Sequence, residues 1–277
     1  MNNLLLDNII KTALEEDIIN VDITSDYTIP KKNNSKAVVK VKSKGIICGL
    51  DVAKRVFEII DANVIFVKKL EDGDEVKAGD IAAEIEGNTR SLLFGERTAL
   101  NFMQRMSGIA TLTNEFCEII KGTKARIADT RKTAPGLRLI DKYSVECGGG
   151  TNHRHSLSDG VLIKDNHIKA AGGIKKALNA VKGKIPHTIK VEVEVSNMDE
   201  VKEAVEFGAD IIMLDNMNTE DMKRAVAIID GRALVEASGG VSMDTIRGIA
   251  ETGVNIISVG ALTHSVKAMD ISMKIIE

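Results

Sequence analysis

Two neighbouring stretches decide the fold: Val191-Glu192-Val193-Glu194-Val195, and then Ile211-Ile212-Met213-Leu214-Asp215-Asn216. Each is a short run of apolar residues with a carboxylate, Glu194 or Asp215, next to its end, and an amphipathic segment, Met198–Phe207, lies between them. That is one βα unit feeding a parallel neighbour. Working outward, further apolar runs fall at Arg126–Ala128, Val161–Ile163, Ala233–Ala237 and Ile256–Val259, and the run before Glu194 extends back to Ile189. Amphipathic segments alternate with them at Gly136–Glu146, Ile168–Val181, Thr219–Ile229 and Met243–Thr252. The runs end in polar or small residues: Asp129 to Lys132, Lys164-Asp165-Asn166, Glu194, Asp215-Asn216, Ser238-Gly239-Gly240 and Gly260. In (β/α) barrels the active site is built at that C-terminal face, from several strand ends. The spacing therefore predicts an incomplete (β/α) barrel of about six parallel strands, with an open doubly wound sheet as the alternative. No Gly-x-Gly-x-x-Gly follows a strand and no Walker-type loop is present, so neither dinucleotide fold is supported.

The first hundred or so residues read differently. Residues 36–47 alternate apolar and basic side chains as a half-buried strand does, 51–60 reads as a helix, and 64–70 as another strand. Strands and helices mixed without strict alternation predict a sandwich-like α+β domain. A helical period from Glu96 to Ile120, with Gly108 as its candidate break, hands the chain to the barrel. The expected division is 1–108 for the α+β domain and 109–277 for the α/β barrel, the last residues being free to pack back on the first domain.

At 277 residues with 44% hydrophobic and 28% charged content, the chain has the makeup of a soluble globular protein with a sizeable core. A net charge of -3 and the absence of Trp argue against a nucleic-acid surface or a base-stacking platform. Cys48, Cys117 and Cys147 are scattered and form no Cys-x-x-Cys pair, so they read as reduced thiols in a cytoplasmic protein. The start, Met1–Asp17, has the period of an amphipathic helix and lacks a secretory pattern, and no run is long enough to span a membrane.

Against that mildly acidic background, Arg131, Lys132, His153, Arg154 and Lys164 cluster at strand ends and in a glycine-rich turn. Arg forks and Lys point charges suit a small polyanion carrying carboxylates or phosphates. The alternation around Glu192 and Glu194 puts both carboxylates on one face. An edge strand with a wet face is the bland explanation. For a strand in the middle of the series, the glutamates turn into the barrel and Glu194 meets Asp215 at its mouth. Two carboxylates there suit a hard cation or sugar hydroxyls. Ser238-Gly239-Gly240, and the second turn at Ser258-Val259-Gly260-Ala261, offer small residues whose N–H groups can reach a phosphate, helped by the helix expected to follow. Gly148-Gly149-Gly150 reads as a flexible linker unless it serves the site. His153, His155 and His167 lack a zinc-type spacing. Lys164 also stands where a Schiff-base nucleophile could.

These motifs resemble those of the quinolinate phosphoribosyltransferases, also called carboxylating nicotinate-nucleotide pyrophosphorylases. The likeness is carried by Asp22-x-Thr24-Ser25, Glu96-Arg97-Thr98, Asp129-Thr130-Arg131-Lys132-Thr133, Gly149-Gly150-x-Asn152-His153-Arg154, Leu162-Ile163-Lys164-Asp165-Asn166-His167, Val193-Glu194-Val195, Leu214-Asp215-Asn216, Ala237-Ser238-Gly239-Gly240 and Val259-Gly260. The resemblance covers essentially the whole chain. It implies an enzyme joining quinolinate to 5-phosphoribosyl-1-pyrophosphate (PRPP), with Mg2+, in a homodimer or a larger assembly. It implies Arg97 supplied in trans, with Thr130, Arg131, Lys132, His153, Arg154, Lys164 and His264 among the substrate ligands. Lys132, Lys164, Glu194 and Asp215 are its implied catalytic residues, Glu194 and Asp215 also facing the metal, and Ser238, Gly239, Gly240, Val259 and Gly260 hold phosphate. A related phosphoribosyltransferase acting on another base, a Lys164 Schiff-base aldolase and a non-catalytic sensor are the competing readings.

Overall fold

The structure, a computed structural model, describes residues 1–276. Its contacts gather into two units: residues 1–114, 133–149 and the chain from Ala261 on form the first, and 115–132 with 150–260 form the second. The chain begins α1 (Asn3–Asp17), α2 (Ile23–Thr28), β1 (Asn34–Val41), β2 (Gly45–Ile46), α3 (Leu50–Ile60), β3 (Ile65–Lys68), β4 (Glu75–Val76), β5 (Ile81–Asn88) and α4 (Thr89–Ile119). It continues β6 (Arg126–Ala128), α5 (Arg138–Cys147), β7 (Val161–Ile163), α6 (Asp165–Ala171), α7 (Ile174–Val181), β8 (Val191–Val195) and α8 (Met198–Glu206). Last come β9 (Ile211–Asp215), α9 (Thr219–Ile229), β10 (Leu234–Ser238), α10 (Ile246–Ala250), β11 (Ile256–Ser258), α11 (Ala261–His264) and β12 (Ile271–Ile275).

In the first unit a four-stranded antiparallel sheet runs β12-β1-β5-β3. Alternation along β1 buries Ala37, Val39 and Val41 and leaves Lys36 and Lys40 outside, as a one-sided sheet requires. Those residues share one core with Leu6 and Ile10 of α1, Phe57 of α3, and Leu92 and Met103 of α4. Helix α4 runs unbroken through Gly108. The glycine serves packing instead, since a Cβ there would lie 2.3 Å from the Lys267 carbonyl oxygen.

Helix α5 departs from the 1–108 and 109–277 division. By order it is the first barrel helix, yet its contacts lie in the first unit. Its buried Asp141 accepts a two-pronged bond from Arg105 Nε and Nη2, each at 2.8 Å, and Tyr143 donates to Asp72 Oδ2 at 3.0 Å. Gly148, at the end of α5, lies so close to α4 that a Cβ would sit 2.4 Å from the Ala110 carbonyl oxygen. It is therefore a packing residue, and only Gly149, at φ +90°, uses the backbone freedom a linker reading supposes.

The second unit is a six-stranded sheet in the order β6-β11-β10-β9-β8-β7. Every neighbouring pair is parallel. No ladder joins β7 to β6, so the sheet is an incomplete barrel. Register sets the strand ends level, with Glu194 opposite Met213, Asp215 opposite Ser238, and Ala128 opposite Ser258. Segment 168–181, expected as one helix, is two, because Gly172 and Gly173 take φ +82° and +126° between α6 and α7. Among the described residues, no helix is long and apolar enough to cross a membrane.

Candidate active site

All six strand ends of the second unit contribute to one cavity of about 510 Å³. Thr130, Arg131 and Lys132 follow β6, His153 and Arg154 come from the glycine-rich turn, and Lys164 follows β7. Glu194 is the last residue but one of β8, Asp215 and Ser238 end β9 and β10, and Gly239 and Gly240 complete the last of these turns. Leu162, Met213, Asn216 and Ser258 also line the cavity, and sequence reasoning did not select them as ligands. Leu162 and Met213 were legible only as strand residues, and Ser258 as the first residue of the second glycine turn. Asn216 carries one local signal, the left-handed φ of 53° that asparagine tolerates.

The cations come together with two carboxylates. Lys164 Nζ donates to Glu194 Oε1, and Asn216 Nδ2 donates to Asp215 Oδ2 at 3.1 Å. Arg154 Nη1 donates to the Gly160 carbonyl oxygen at 2.9 Å. Burial, and then the Arg131 charge nearby, lower its pKa from the usual guanidinium value, which marks a cation partly desolvated beside another cation. Thr130 Oγ1 accepts the Lys132 N–H at 3.0 Å and shapes that turn.

The Ser238–Gly240 turn is built by exclusion. Gly239 has φ +89°, and a Cβ on it would lie 2.2 Å from Asn216 Oδ1. Asn216 N–H in turn donates to the Ser238 carbonyl oxygen at 2.9 Å. The helix expected to support this turn starts only at Ile246 and has 5 residues, so it adds no dipole at Gly239. Val259 and Gly260 do not line the cavity, and the Val259 N–H is spent on the Ala128 carbonyl at 2.9 Å. Arg97, exposed on α4, and His264 both belong to the first unit.

Behind the cavity, inside the barrel, His153 Nε2 lies 3.1 Å from Glu192 Oε2 and 3.7 Å from Glu236 Oε1. Both glutamates are buried. Burial, and then the Glu192 charge, push the Glu236 carboxyl up to about 7. Glu236 stands two residues before Ser238 on β10 as Glu192 stands two before Glu194 on β8, and that shared offset was its signal in the sequence. His167 is not part of the cluster; its Nδ1 accepts the Lys164 N–H at 3.0 Å and caps α6. His155 is exposed, and its N–H donates to Asp159 Oδ2 at 2.8 Å.

A parallel barrel whose strand ends gather cations, two carboxylates and a glycine turn defines an enzyme for small phosphorylated or carboxylated substrates. Comparison with known proteins narrows the class. The quinolinate phosphoribosyl transferase N-terminal domain matches residues 22–107, and the C-terminal domain of the same family matches 109–274. A probable carboxylating nicotinate-nucleotide pyrophosphorylase from Bacillus subtilis is 41% identical over 275 residues, 99% of this chain and 95% of that protein. One of the same description from Methanocaldococcus jannaschii is 44% identical over 277 residues, 97% of this chain and 96% of its own. The crystal structure of NadC from Streptococcus pyogenes superposes with a TM-score of 0.96 at 40% identity, covering 100% of this chain and 99% of that one. The chain belongs to the quinolinate phosphoribosyltransferase family.

Proposed function

We infer that this pocket joins quinolinate to PRPP, giving nicotinate mononucleotide, pyrophosphate and carbon dioxide on the route to NAD. The observation that carries this reading is the meeting of Arg131, Lys132, Arg154 and Lys164 with Glu194 and Asp215 in one cavity. Quinolinate brings two carboxylates, and the sugar donor brings a phosphate and a pyrophosphate. Arg131 and Arg154 take the quinolinate carboxylates through their planar forks. Lys132 and Lys164 attract the pyrophosphate, and the Gly239 turn accepts the 5'-phosphate.

In the first step the pyridine nitrogen of quinolinate attacks the anomeric carbon while the bond to the pyrophosphate oxygen breaks. Positive charge gathers on the sugar as that bond lengthens, and Glu194 and Asp215 stabilise it across the cavity. In the second step the bond from ring carbon 2 to its carboxylate breaks. Its electron pair is held beside the now cationic ring nitrogen, and a proton completes carbon 2. For this step the chain needs only to hold the ring and exclude water.

Glu194 and Asp215 present hard carboxylate oxygens at the mouth of the cavity, the donor type Mg2+ takes, and substrate oxygens would fill the remaining positions. Bound there, Mg2+ supplies charge that offsets the pyrophosphate as it leaves. We place Arg97 of a second copy over the pocket, in a homodimer that can build into larger assemblies. Cys48, Cys117 and Cys147 are free thiols, in keeping with a cytoplasmic site. The Schiff-base alternative needs a lysine whose charge is suppressed, by an apolar pocket or by neighbouring cations; Lys164 shares its cavity with Arg131, Lys132 and Arg154, but its side chain is 46% exposed and its ammonium is paired with the Glu194 carboxylate.

The test is purified protein with PRPP, Mg2+ and either quinolinate or nicotinate. Formation of nicotinate mononucleotide from quinolinate, with nicotinate a poor substitute, is the expected result. Comparable turnover on nicotinate would overturn the two-carboxylate reading and favour a relative acting on another base.

A further inference from the structure

We propose that His153 is a positioning residue, not an anion ligand, and that Glu192 and Glu236 hold it in place so that it can set Arg154. The proposal rests on the functional reading above only for the identity of the anion.

The ring is engaged at both nitrogens. Arg154 N–H donates to His153 Nδ1 at 2.7 Å. A nitrogen that accepts an N–H must present its lone pair, so the ring carries its proton on Nε2. That donor faces Glu192 Oε2 at 3.1 Å, with Glu236 Oε1 at 3.7 Å. His153 therefore lines the anion cavity without turning a ring N–H to it.

The same geometry argues against a metal ion. His153 Nε2 and one carboxylate oxygen from each glutamate lie within 4.8 Å of one another, and these are metal-ligand types. A cation on Nε2 would leave the ring with no proton at all, because Nδ1 already accepts. A neutral imidazole cannot do both. The cluster is a hydrogen-bonded support. Its acidic half is sealed, with Glu192 4% and Glu236 1% exposed. A proton held on Glu236 eases the burial of its carboxyl beside that of Glu192, and burial favours that state.

What the ring supports is the course of the chain. His153 N–H donates to Asp129 Oδ1 at 2.8 Å, the next amide is held by the ring itself, and Arg154 Nη1 reaches the Gly160 carbonyl at 2.9 Å. Two successive amides are thus pinned by side chains, and the guanidinium between them and Gly160 has little freedom left. Glu192 and Glu236 act on the anion through His153 and Arg154 and touch no substrate.

The sign of one effect separates this proposal from its rival. By electrostatics alone, removing a buried negative charge beside an anion pocket strengthens anion binding. If Glu192 positions the ring, removing it weakens binding. Quinolinate affinity by calorimetry and the kinetic constants are measured for E192A and E192Q, with thermal unfolding to show that each is folded. We expect E192A to raise the quinolinate Kd and KM about tenfold, the scale of one lost hydrogen bond, with kcat within about threefold. E192Q should lose less, because its amide oxygen still accepts the Nε2–H. H153N, whose oxygen can accept the Arg154 N–H, should recover part of the affinity that H153A loses.

A second measurement needs no variant. Nitrogen NMR of protein labelled in its 5 histidines should find His153 bare at Nδ1 and protonated at Nε2, with and without quinolinate. Folded E192A that binds quinolinate as tightly as wild type or more tightly, or a His153 ring protonated at Nδ1, overturns the proposal. If the wild-type protein does not bind quinolinate, the functional reading has failed, and the NMR result still decides the tautomer.

Discussion

Lys164 Nζ donates a hydrogen bond to Glu194 Oε1, tying the residue after β7 to the end of β8. The pair sets a cation and a carboxylate side by side at the mouth of a parallel sheet, with side chains 46% and 16% exposed. On the function proposed above, a phosphorylated substrate competes with Glu194 for this ammonium, and Lys164 turning to the leaving pyrophosphate would free the Glu194 charge for the sugar, where positive charge develops.

Glu194→Gln and Asp215→Asn should therefore act on turnover. Each is expected to lower kcat by roughly tenfold to a thousandfold while the quinolinate Kd moves much less, because the lost charge matters most in the transition state. Steady-state kinetics across a Mg2+ titration check this. Full turnover in both variants would place the carboxylates outside the chemistry.

Arg131→Lys and Arg154→Lys keep the charge and lose the fork. Each should weaken quinolinate binding by about 1.5–3 kcal/mol, one charge-assisted hydrogen bond. Calorimetric titration of quinolinate into each variant reads the change directly, and wild-type affinity in both would reduce the cluster to surface charge.

Stability should fall as pH rises through the range set by Glu236, whose carboxyl is pushed from 4.5 to about 7. Below about pH 4.5 the group is protonated in both folded and unfolded chains and carries no penalty. Between there and about pH 7 the unfolded chain releases the proton and the folded one keeps it, so folding weakens by up to about 3 kcal/mol. Above that range the penalty is constant. Glu236→Gln removes this dependence. Urea unfolding at pH 5 and pH 8 should show the variant gaining on wild type at the higher pH, and parallel shifts in both proteins would refute the assignment.

Arg97 in trans predicts complementation. Arg97→Ala and Lys164→Ala should each be inactive, and mixing equal amounts under subunit exchange should restore roughly a quarter of wild-type activity. Half of the dimers are then mixed, and each mixed dimer has one intact site. No recovery despite demonstrated exchange would return Arg97 to its own subunit or remove it from the site.

The barrel was legible because its signal is local. Valines alternate with Glu192 and Glu194, and each of β6 to β11 is a short apolar run with a polar or small residue at its end. Parallel register then carried Asp215 and Ser238 to the same level without further information. What stayed hidden depends on packing between distant segments. Nothing near Gly108 announces that Lys267 will press on it, and nothing in α5 says that Arg105 will claim Asp141. The surroundings of His153 were hidden for the same reason. Nothing beside Arg154 in the sequence says that Glu192 and Glu236 will reach this ring from two other strands. The glycine turn at 239 was legible as a turn, but its need for glycine comes from the Asn216 side chain.

The central claim is that one pocket couples phosphoribosyl transfer to loss of the carboxylate at ring carbon 2. Its most direct test is a single incubation of the purified protein with PRPP, Mg2+ and quinolinate carrying carbon-13 in that carboxylate. The account predicts that nicotinate mononucleotide, pyrophosphate and labelled carbon dioxide appear in equal amounts and at the same rate. Pyrophosphate released without labelled carbon dioxide, or a mononucleotide that keeps the label, would contradict it.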